Sequence, residues 1–112
     1  IKRIAEVTSK EVLATGVDWA FAPNLAVARD YHWGRNYESY AEDPNLVTLY
    51  AKKMIETLQG KLNQDNILAC AKHWVGDGGT QYGVDQGDTI LSLEELQQPI
   101  FSPTKPQSKR EC

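Results

Sequence analysis

Residues 43–60, DPNLVTLYAKKMIETLQG, decide the fold, because they predict an amphipathic helix between two short apolar segments. Asp43 suits the N-cap, and Pro44 suits the first turn, where a missing backbone N–H costs no hydrogen bond. Gly60 ends the predicted helix. The apolar side chains of this segment fall on one helical face: Val47, Tyr50, Ala51, Met54, Ile55 and Leu58.

The apolar segments on either side of this helix are predicted to be strands. The first, which is predicted to be buried, comprises residues 19–27, where Pro23 removes a backbone donor and therefore predicts an irregular or bulged strand. The second comprises residues 67–71. Two strands joined through a helix form a β-α-β unit with parallel strands, so the pattern predicts an α/β fold.

Further helices are predicted on both sides of this unit. Residues 1–15 carry apolar side chains at roughly helical spacing, and Gly16 follows them as a stop signal. Ser92 and Glu95 form a capping-box pattern, which predicts a last short helix. The predicted order is therefore helix, strand, loop, helix, strand, loop, helix.

Two loops follow the predicted strands, and both carry unusual side chains. Residues 28–42 combine Arg, Asp, Trp, Tyr and Glu, which suits a polyhydroxylated ligand because aromatic rings stack on sugars and charged groups bind hydroxyls. A surface loop held by its own salt bridges explains the same composition. In the second loop, Lys72 and His73 precede residues 76–89, which contain five glycines. Because the loops after parallel strands emerge on one side, we expect these two to meet.

The composition argues against several classes of protein. The chain has 112 residues, with 12 Lys and Arg against 15 Asp and Glu, and a formal net charge of −3, whereas a nucleic-acid binder needs a basic face. No apolar run approaches the ~20 residues of a membrane-spanning helix. We therefore expect neither a nucleic-acid partner nor a membrane partner. A hydrophobic content of 41% suffices for a globular core.

No cofactor or metal motif is complete. The dinucleotide fingerprint that would begin at Gly76 has Gln81 where its last glycine belongs, and no calcium loop fits the glycine-rich stretch. A zinc site made from His32, His73 and a carboxylate lacks the short spacing between ligands. We therefore predict no cofactor and no metal.

Three motifs, in this order and spacing, resemble the N-terminal domain of glycoside hydrolase family 3: FAPNLAVARD at 21–30, WGRNYESYAEDP at 33–44 and AKHWVGDGGT at 71–80. The family contains β-glucosidases, exo-β-glucanases and β-xylosidases. Its β-N-acetylhexosaminidases carry a His/Asp acid–base pair in the glycine-rich loop. That pair is missing here, which favours the β-glucosidase or exo-β-glucanase branch. The resemblance implies a partial (β/α)8 TIM-barrel segment over residues 1–97, with about two parallel strands and flanking helices.

The resemblance also implies roles for individual residues. By motif match, Arg35, Lys72 and His73 bind hydroxyls of the glycosyl unit in the subsite where cleavage occurs, and Glu38 orients Arg35. The implied substrate is a β-linked glucoside or glucan. In the retaining mechanism, one carboxylate attacks the anomeric carbon and another acts as acid and then base. Neither carboxylate matches a position in this chain, so we expect no catalytic residue within it.

We expect the chain to be a fragment, because it begins at Ile1 rather than Met and a complete barrel needs ~250 residues. Hydrolysis would need the missing strands and a second domain, so the isolated chain is expected to be inactive. Residues 98–112 are Pro-rich and predicted to form a disordered tail. A non-catalytic carbohydrate-binding remnant and a purely structural piece are the alternatives. Kinship predicts a secreted or periplasmic location.

Overall fold

The elements of the structure, a computed structural model that describes residues 1–97, follow the predicted order. They are helix α1 at Lys2–Ala14, strand β1 at Trp19–Ala20, helix α2 at Pro44–Gln59, strand β2 at Leu68–Ala69 and helix α3 at Leu93–Gln97. The loops after the two strands contain short 3-10 turns, at Asn36–Glu38 and Gln81–Gly83. The predicted tail, residues 98–112, lies outside the described residues.

Helix α2 begins and ends as its sequence predicts. The Asp43 side chain accepts a hydrogen bond of 2.8 Å from the Asn45 backbone N–H, and Pro44 occupies the first turn. Gly60 (φ 46°) follows the last helical residue, and its N–H donates to the Glu56 carbonyl. The buried side chains of α2 are Pro44, Val47, Ala51, Met54 and Leu58. The amphipathic pattern therefore sets the face that α2 turns toward the core.

The two strands are parallel, as predicted, but they are shorter than the sequence suggests. In β1 and β2, Ala20 pairs with Ala69. Beyond that pair the ladder is interrupted, because Pro23 has no N–H to donate, although its carbonyl accepts a 3.1 Å hydrogen bond from Lys72. Pairing returns at one isolated parallel bridge between Asn24 and Lys72. The irregularity predicted at Pro23 is therefore present and limits the strand.

Burial along the first strand segment also differs from the prediction. A buried strand at residues 19–27 would place Trp19 and Phe21 in the core, but these two residues are 51% and 65% exposed. The buried part lies later, and comprises Pro23, Asn24, Leu25, Ala26, Val27 and Ala28. The segment therefore becomes buried from Pro23 onward.

The hydrophobic core lies between the two long helices and the strand segments. One cluster joins α1, α2 and β2 and comprises Ala5, Met54, Leu58, Ile67 and Ala69. A second packs the segment after β1 against α2 and comprises Leu25, Val27, Val47 and Ala51. Within residues 1–97, no helix combines the length and the apolar character that crossing a bilayer requires. This packing leaves the loops after both strands together at one edge of the sheet.

Helix α3 follows the second loop and opens with the predicted capping box. The Ser92 N–H donates to Glu95 Oε2 at 2.8 Å, and the Glu95 N–H donates to Ser92 Oγ at 3.2 Å. The Ser92 hydroxyl also donates to Glu95 Oε2, at 2.7 Å, and this bond, followed by the one from the Ser92 N–H, holds the pKa of Glu95 below its ordinary value.

Candidate functional site

The two loops that follow β1 and β2 meet at the carboxyl end of the strands. Arg35 lies in the first loop, immediately before its 3-10 turn. His73 follows the bridge between Asn24 and Lys72 in the second loop. Arg35 Nη1 is 3.5 Å from His73 Nε2, although the two residues are 38 positions apart. The structure therefore brings together two of the three residues expected to bind a sugar.

Glu38 fixes the guanidinium of Arg35. Arg35 Nε donates to Glu38 Oε1 at 2.7 Å, and Nη2 donates to Oε2 at 2.8 Å. The planar guanidinium fits a carboxylate in this two-bond arrangement, which constrains its orientation as well as its position. The contact expected from the motif is thus present, and it leaves Nη1 facing His73 and Asp77, the latter at 4.0 Å.

Asn24 connects this ion pair to the core segment after β1. Its Nδ2 donates to Glu38 Oε2 at 2.9 Å, while its Oδ1 accepts a 2.9 Å hydrogen bond from the Ala26 N–H. The hydrogen bonds from Arg35 and then Asn24 lower the pKa of Glu38 to about 2. In return, Glu38 raises the pKa of Arg35. The pair therefore stays ionised, and Arg35 is a permanent donor.

His73 also lies beside a carboxylate. Its Nδ1 is 2.7 Å from Asp77 Oδ2, and the two side chains are 35% and 15% exposed. This contact has the distance of an ion pair but not the direction of a hydrogen bond. Among residues 1–97, neither atom has a hydrogen-bond partner, although both are buried.

Lys72 is placed differently from Arg35 and His73. Its positive charge contributes to the low pKa of Glu38, after the hydrogen bonds from Arg35 and Asn24. It therefore lies on the Glu38 side of the site, and it is not part of the cavity lining described next. The peptide bond between Lys72 and His73 is cis, as is the one between Trp74 and Val75.

A cavity of about 310 Å³ opens beside Arg35 and His73. Its other lining residues are Trp74, Val75, Asp77, Thr80, Gln86, Gly87 and Thr89. This volume lies at the lower end of the range for small-molecule sites. Charged and hydroxyl groups beside one exposed indole suit a small polyhydroxylated ligand. Thr80 Oγ1 is buried and has no hydrogen-bond partner among the described residues, although Thr80 belongs to the lining of the cavity.

Sequence reasoning missed Asn24 and Asp77 as parts of this site. Asn24 is the one polar residue within an otherwise apolar predicted strand, which was the available signal. No sequence motif assigns a role to Asp77, because its contact with His73 depends on how the glycine-rich loop turns. His32 pairs with Asp30 at the surface, and no three His, Cys, Asp or Glu side chains within residues 1–97 are grouped to hold a metal ion.

Comparison with known sequences identifies relatives of this chain. The model of the glycosyl hydrolase family 3 N terminal domain matches residues 1–105. The match continues past residue 97, where we place the start of the tail, and that boundary stays a prediction. A β-xylosidase of Formosa agariphila is 37% identical over 108 residues, which cover 92% of this chain and 15% of the relative. A periplasmic β-glucosidase of Salmonella typhimurium is 26% identical and is covered to 14% of its length.

Solved structures show the same architecture. A mutant of the exo-1,3/1,4-β-glucanase of a Pseudoalteromonas species has 50% identity and a TM-score of 0.87, covering 93% of this chain and 17% of its own. A mutant β-glucosidase of Listeria innocua, in complex with laminaribiose, has 33% identity and a TM-score of 0.86, covering 93% and 15%. These matches confirm the predicted segment of a TIM-barrel domain. The chain spans about a sixth of the length of such relatives.

Proposed function

This chain belongs to glycosyl hydrolase family 3, and from that premise we propose that it forms part of the sugar-binding wall of a retaining β-glucosidase or exo-β-glucanase. Arg35, Lys72 and His73 bind hydroxyls of the glycosyl unit in the subsite at the scissile bond. The complete protein hydrolyses O-glycosidic bonds in β-glucosides or β-glucans, with a nucleophile and an acid–base that lie outside the matched motifs. Two of the relatives are named periplasmic, which supports a periplasmic or secreted location.

One observation carries this proposal: a guanidinium fixed by Glu38 lies 3.5 Å from an imidazole at the edge of a cavity of about 310 Å³. Arg35 is a fully charged donor whose orientation is set before a ligand arrives. Little side-chain entropy is lost when such a group binds, so more of each hydrogen bond contributes to affinity. The complexes of the Listeria innocua enzyme with laminaribiose and with glucose support a glucosyl unit as the ligand class.

Arg35, Glu38 and Lys72 contribute to sugar binding in different ways. Arg35 uses the N–H of Nε and one N–H of Nη2 on Glu38, which leaves three N–H donors. Nη1, which faces His73 at the edge of the cavity, is the nitrogen placed to donate to a sugar oxygen. A hydrogen bond from a charged donor contributes about 1.5–3 kcal/mol. Glu38 positions this donor, and Lys72 adds positive charge on the same side. In this way the chain holds the pyranose at a defined place while other parts of the protein supply the reacting carboxylates.

A chimaera tests the proposal. Residues 1–97 of this chain would replace the matching segment of the exo-β-glucanase, whose backbone is similar enough for the exchange. We expect the chimaera to hydrolyse an aryl β-glucoside, whereas the isolated chain does not exceed buffer. Arg35→Ala in the chimaera should lower kcat/KM by about 10- to 100-fold, which corresponds to one charge-assisted hydrogen bond.

The matched control is Arg29→Ala, because Arg29 is also an arginine of the first loop but its Nε donates to the Glu42 carbonyl outside the cavity. This control should retain kcat/KM within about twofold, as for surface substitutions. A folded chimaera without hydrolysis would contradict the enzymatic role. If the isolated chain nevertheless bound glucose, the non-catalytic carbohydrate-binding alternative would be favoured.

A further inference from the structure

Asp77 lies four residues after His73 and has no part in the proposed sugar contacts. We infer that Asp77 is a positioning residue, which holds the His73 imidazole in the neutral tautomer with its proton on Nδ1. This inference rests on the proposed function for its consequence, since the tautomer decides how His73 meets a sugar hydroxyl. It can nevertheless be tested without any sugar.

The hydrogen-bond capacities of the two neighbours of His73 define the tautomer. An ionised carboxylate accepts only, so Asp77 Oδ2, at 2.7 Å, requires a proton on Nδ1. A guanidinium donates only, so Arg35 Nη1, at 3.5 Å, requires a lone pair on Nε2. A doubly protonated ring would satisfy Asp77 but would bring an N–H against the guanidinium. The two contacts together therefore select the neutral ring with the proton on Nδ1.

Within residues 1–97, neither His73 Nδ1 nor Asp77 Oδ2 has a hydrogen-bond partner. Arg35 Nη1 also approaches Asp77 Oδ2, but at 4.0 Å it is too distant for a hydrogen bond. Buried polar atoms are rarely left unsatisfied, because an unmade hydrogen bond costs about 1–3 kcal/mol. The two atoms are already 2.7 Å apart, so a proton on Nδ1 would face an acceptor at hydrogen-bond distance. A hydrogen bond between His73 and Asp77 would therefore satisfy both buried atoms.

The backbone holds Asp77 in place for this task. Asp77 stands between Gly76 and Gly78, whose φ angles of 96° and 87° strongly favour glycine. Thr89 Oγ1 donates to the Gly76 carbonyl at 3.1 Å, and a Cβ on Gly78 would lie 3.2 Å from the Ala28 backbone. The loop is therefore anchored on both sides of Asp77, and the carboxylate has a fixed position beside the ring.

The functional consequence concerns the direction of a hydrogen bond. With its proton on Nδ1, His73 presents Nε2 as an acceptor at the cavity edge. It therefore accepts a hydrogen bond from a sugar hydroxyl instead of donating one. The 3.5 Å contact with Arg35 is long and therefore weak, so a sugar hydroxyl can replace it. Arg35 then donates to the ligand while His73 accepts from it, which suits a hydroxyl that does both.

Nuclear magnetic resonance of the full chain, with nitrogen-15-labelled histidine, tests the inference. The chain has two histidines, and His32 is also paired with a carboxylate, since its Nδ1 makes a 2.7 Å hydrogen bond with Asp30 Oδ1 at the surface. Asp30→Asn is therefore the matched control for Asp77→Asn. We expect the wild type to show a protonated Nδ1 and an unprotonated Nε2 for His73. Asp77→Asn should shift His73 toward the other tautomer and leave the His32 signals unchanged.

The same samples show the effect on sugar binding. Asp77→Asn should weaken glucose binding by about two- to tenfold, the equivalent of one neutral hydrogen bond, and Asp77→Glu should restore part of it. Backbone amide spectra verify that each variant is folded. A wild-type ring protonated on Nε2, or an unchanged tautomer in a folded Asp77→Asn, would overturn the inference. Absence of glucose binding in every sample would contradict the proposed function, while the tautomer result would still decide the assignment of Asp77.

Discussion

Trp33 Nε1 donates a hydrogen bond of 3.0 Å to Asp85 Oδ1, which joins two loops across 52 positions of sequence. Trp33 is 1% exposed and packs with Ala26 and Ala28 of the core segment after β1. Arg35, two residues further on, faces the second loop through His73. The two loops are therefore connected by this hydrogen bond as well as by the contact between Arg35 and His73.

Removal of the acceptor should destabilise the fold. In Asp85→Ala, the buried indole N–H of Trp33 loses its partner, and we expect the free energy of unfolding to fall by about 1–3 kcal/mol. Urea unfolding followed by tryptophan fluorescence measures this loss. Asp88→Ala is the control, because Asp88 is exposed in the same loop and bonds to Gln81 through its backbone carbonyl alone. Equal stability of the two variants would show that the Trp33–Asp85 bond does not hold the loops together.

Gly83 allows the closest approach between the same two loops. Its φ is 68°, and a Cβ there would lie 2.6 Å from the Trp33 backbone nitrogen. Gly83→Ala should therefore lower the free energy of unfolding by more than the ~1–2 kcal/mol of backbone strain alone.

Thermal unfolding of alanine variants at two other glycines distinguishes the effect of backbone strain from that of steric crowding. Gly16→Ala should show the strain alone, because φ is 82° with no atom within 4 Å. Gly34→Ala should have little effect, since it has open space and no left-handed backbone. If Gly83→Ala were as stable as Gly34→Ala, the close packing of the two loops would be disproved.

The sequence predicts the elements of this fold better than the geometry of its site. Helix α2 is predicted almost to the residue, because Asp43, Pro44 and Gly60 act locally at its ends. The extent of β1 is not predicted, because the pairing depends on which residues of the distant second strand can bond to the chain beyond Pro23. The prediction that Trp19 is buried was wrong for a related reason. The apolar character of a residue does not show whether the rest of the chain covers it.

The site shows the same division between local and distant information. The contact of Glu38 with Arg35 follows from a separation of three residues within one motif, so the sequence indicates it. The positions of Asn24, Asp77 and Asp85 depend on loop paths that no local pattern specifies. Lys72 and His73 are adjacent in sequence, yet only His73 lines the cavity. Adjacent residues therefore can lie in different surroundings, which only the structure reveals.

The low pKa of Glu38 predicts a specific dependence of stability on pH. Because folding lowers this pKa from 4.5 to about 2, the carboxylate contributes stability above pH 4.5, and that contribution is lost as the pH falls toward 2. Unfolding free energies of wild type and Glu38→Gln should therefore converge over this acid range. Titration of the Glu38 side-chain carbon by magnetic resonance should give a midpoint near 2, rising toward 4.5 in Arg35→Ala. A midpoint near 4.5 in the wild type would be incompatible with the two-bond ion pair.

The exposed aromatic rings near β1 predict association of the isolated chain. Trp19 and Phe21 are 51% and 65% exposed and contact one another edge to face, with ring centroids 5.0 Å apart. Contiguous apolar surface promotes association more than a single exposed ring does. Sedimentation should show self-association that rises with concentration and decreases in Trp19→Ser/Phe21→Ser. The single replacement of the exposed Tyr37 by Ser serves as the control, and a wild-type chain that stays monomeric would contradict this expectation.

Binding of glucose to the chain, followed by the His73 and Arg35 side-chain resonances at a concentration where the chain is monomeric, tests the central claim most directly. Arg35→Ala and Arg29→Ala are compared with the wild type. We predict saturable shifts of both side chains in the wild type and in Arg29→Ala, and affinity about 10- to 100-fold weaker in Arg35→Ala. Shifts that are absent from His73 and Arg35, or equal affinity in all three proteins, would contradict the claim that these two residues form a sugar-binding wall.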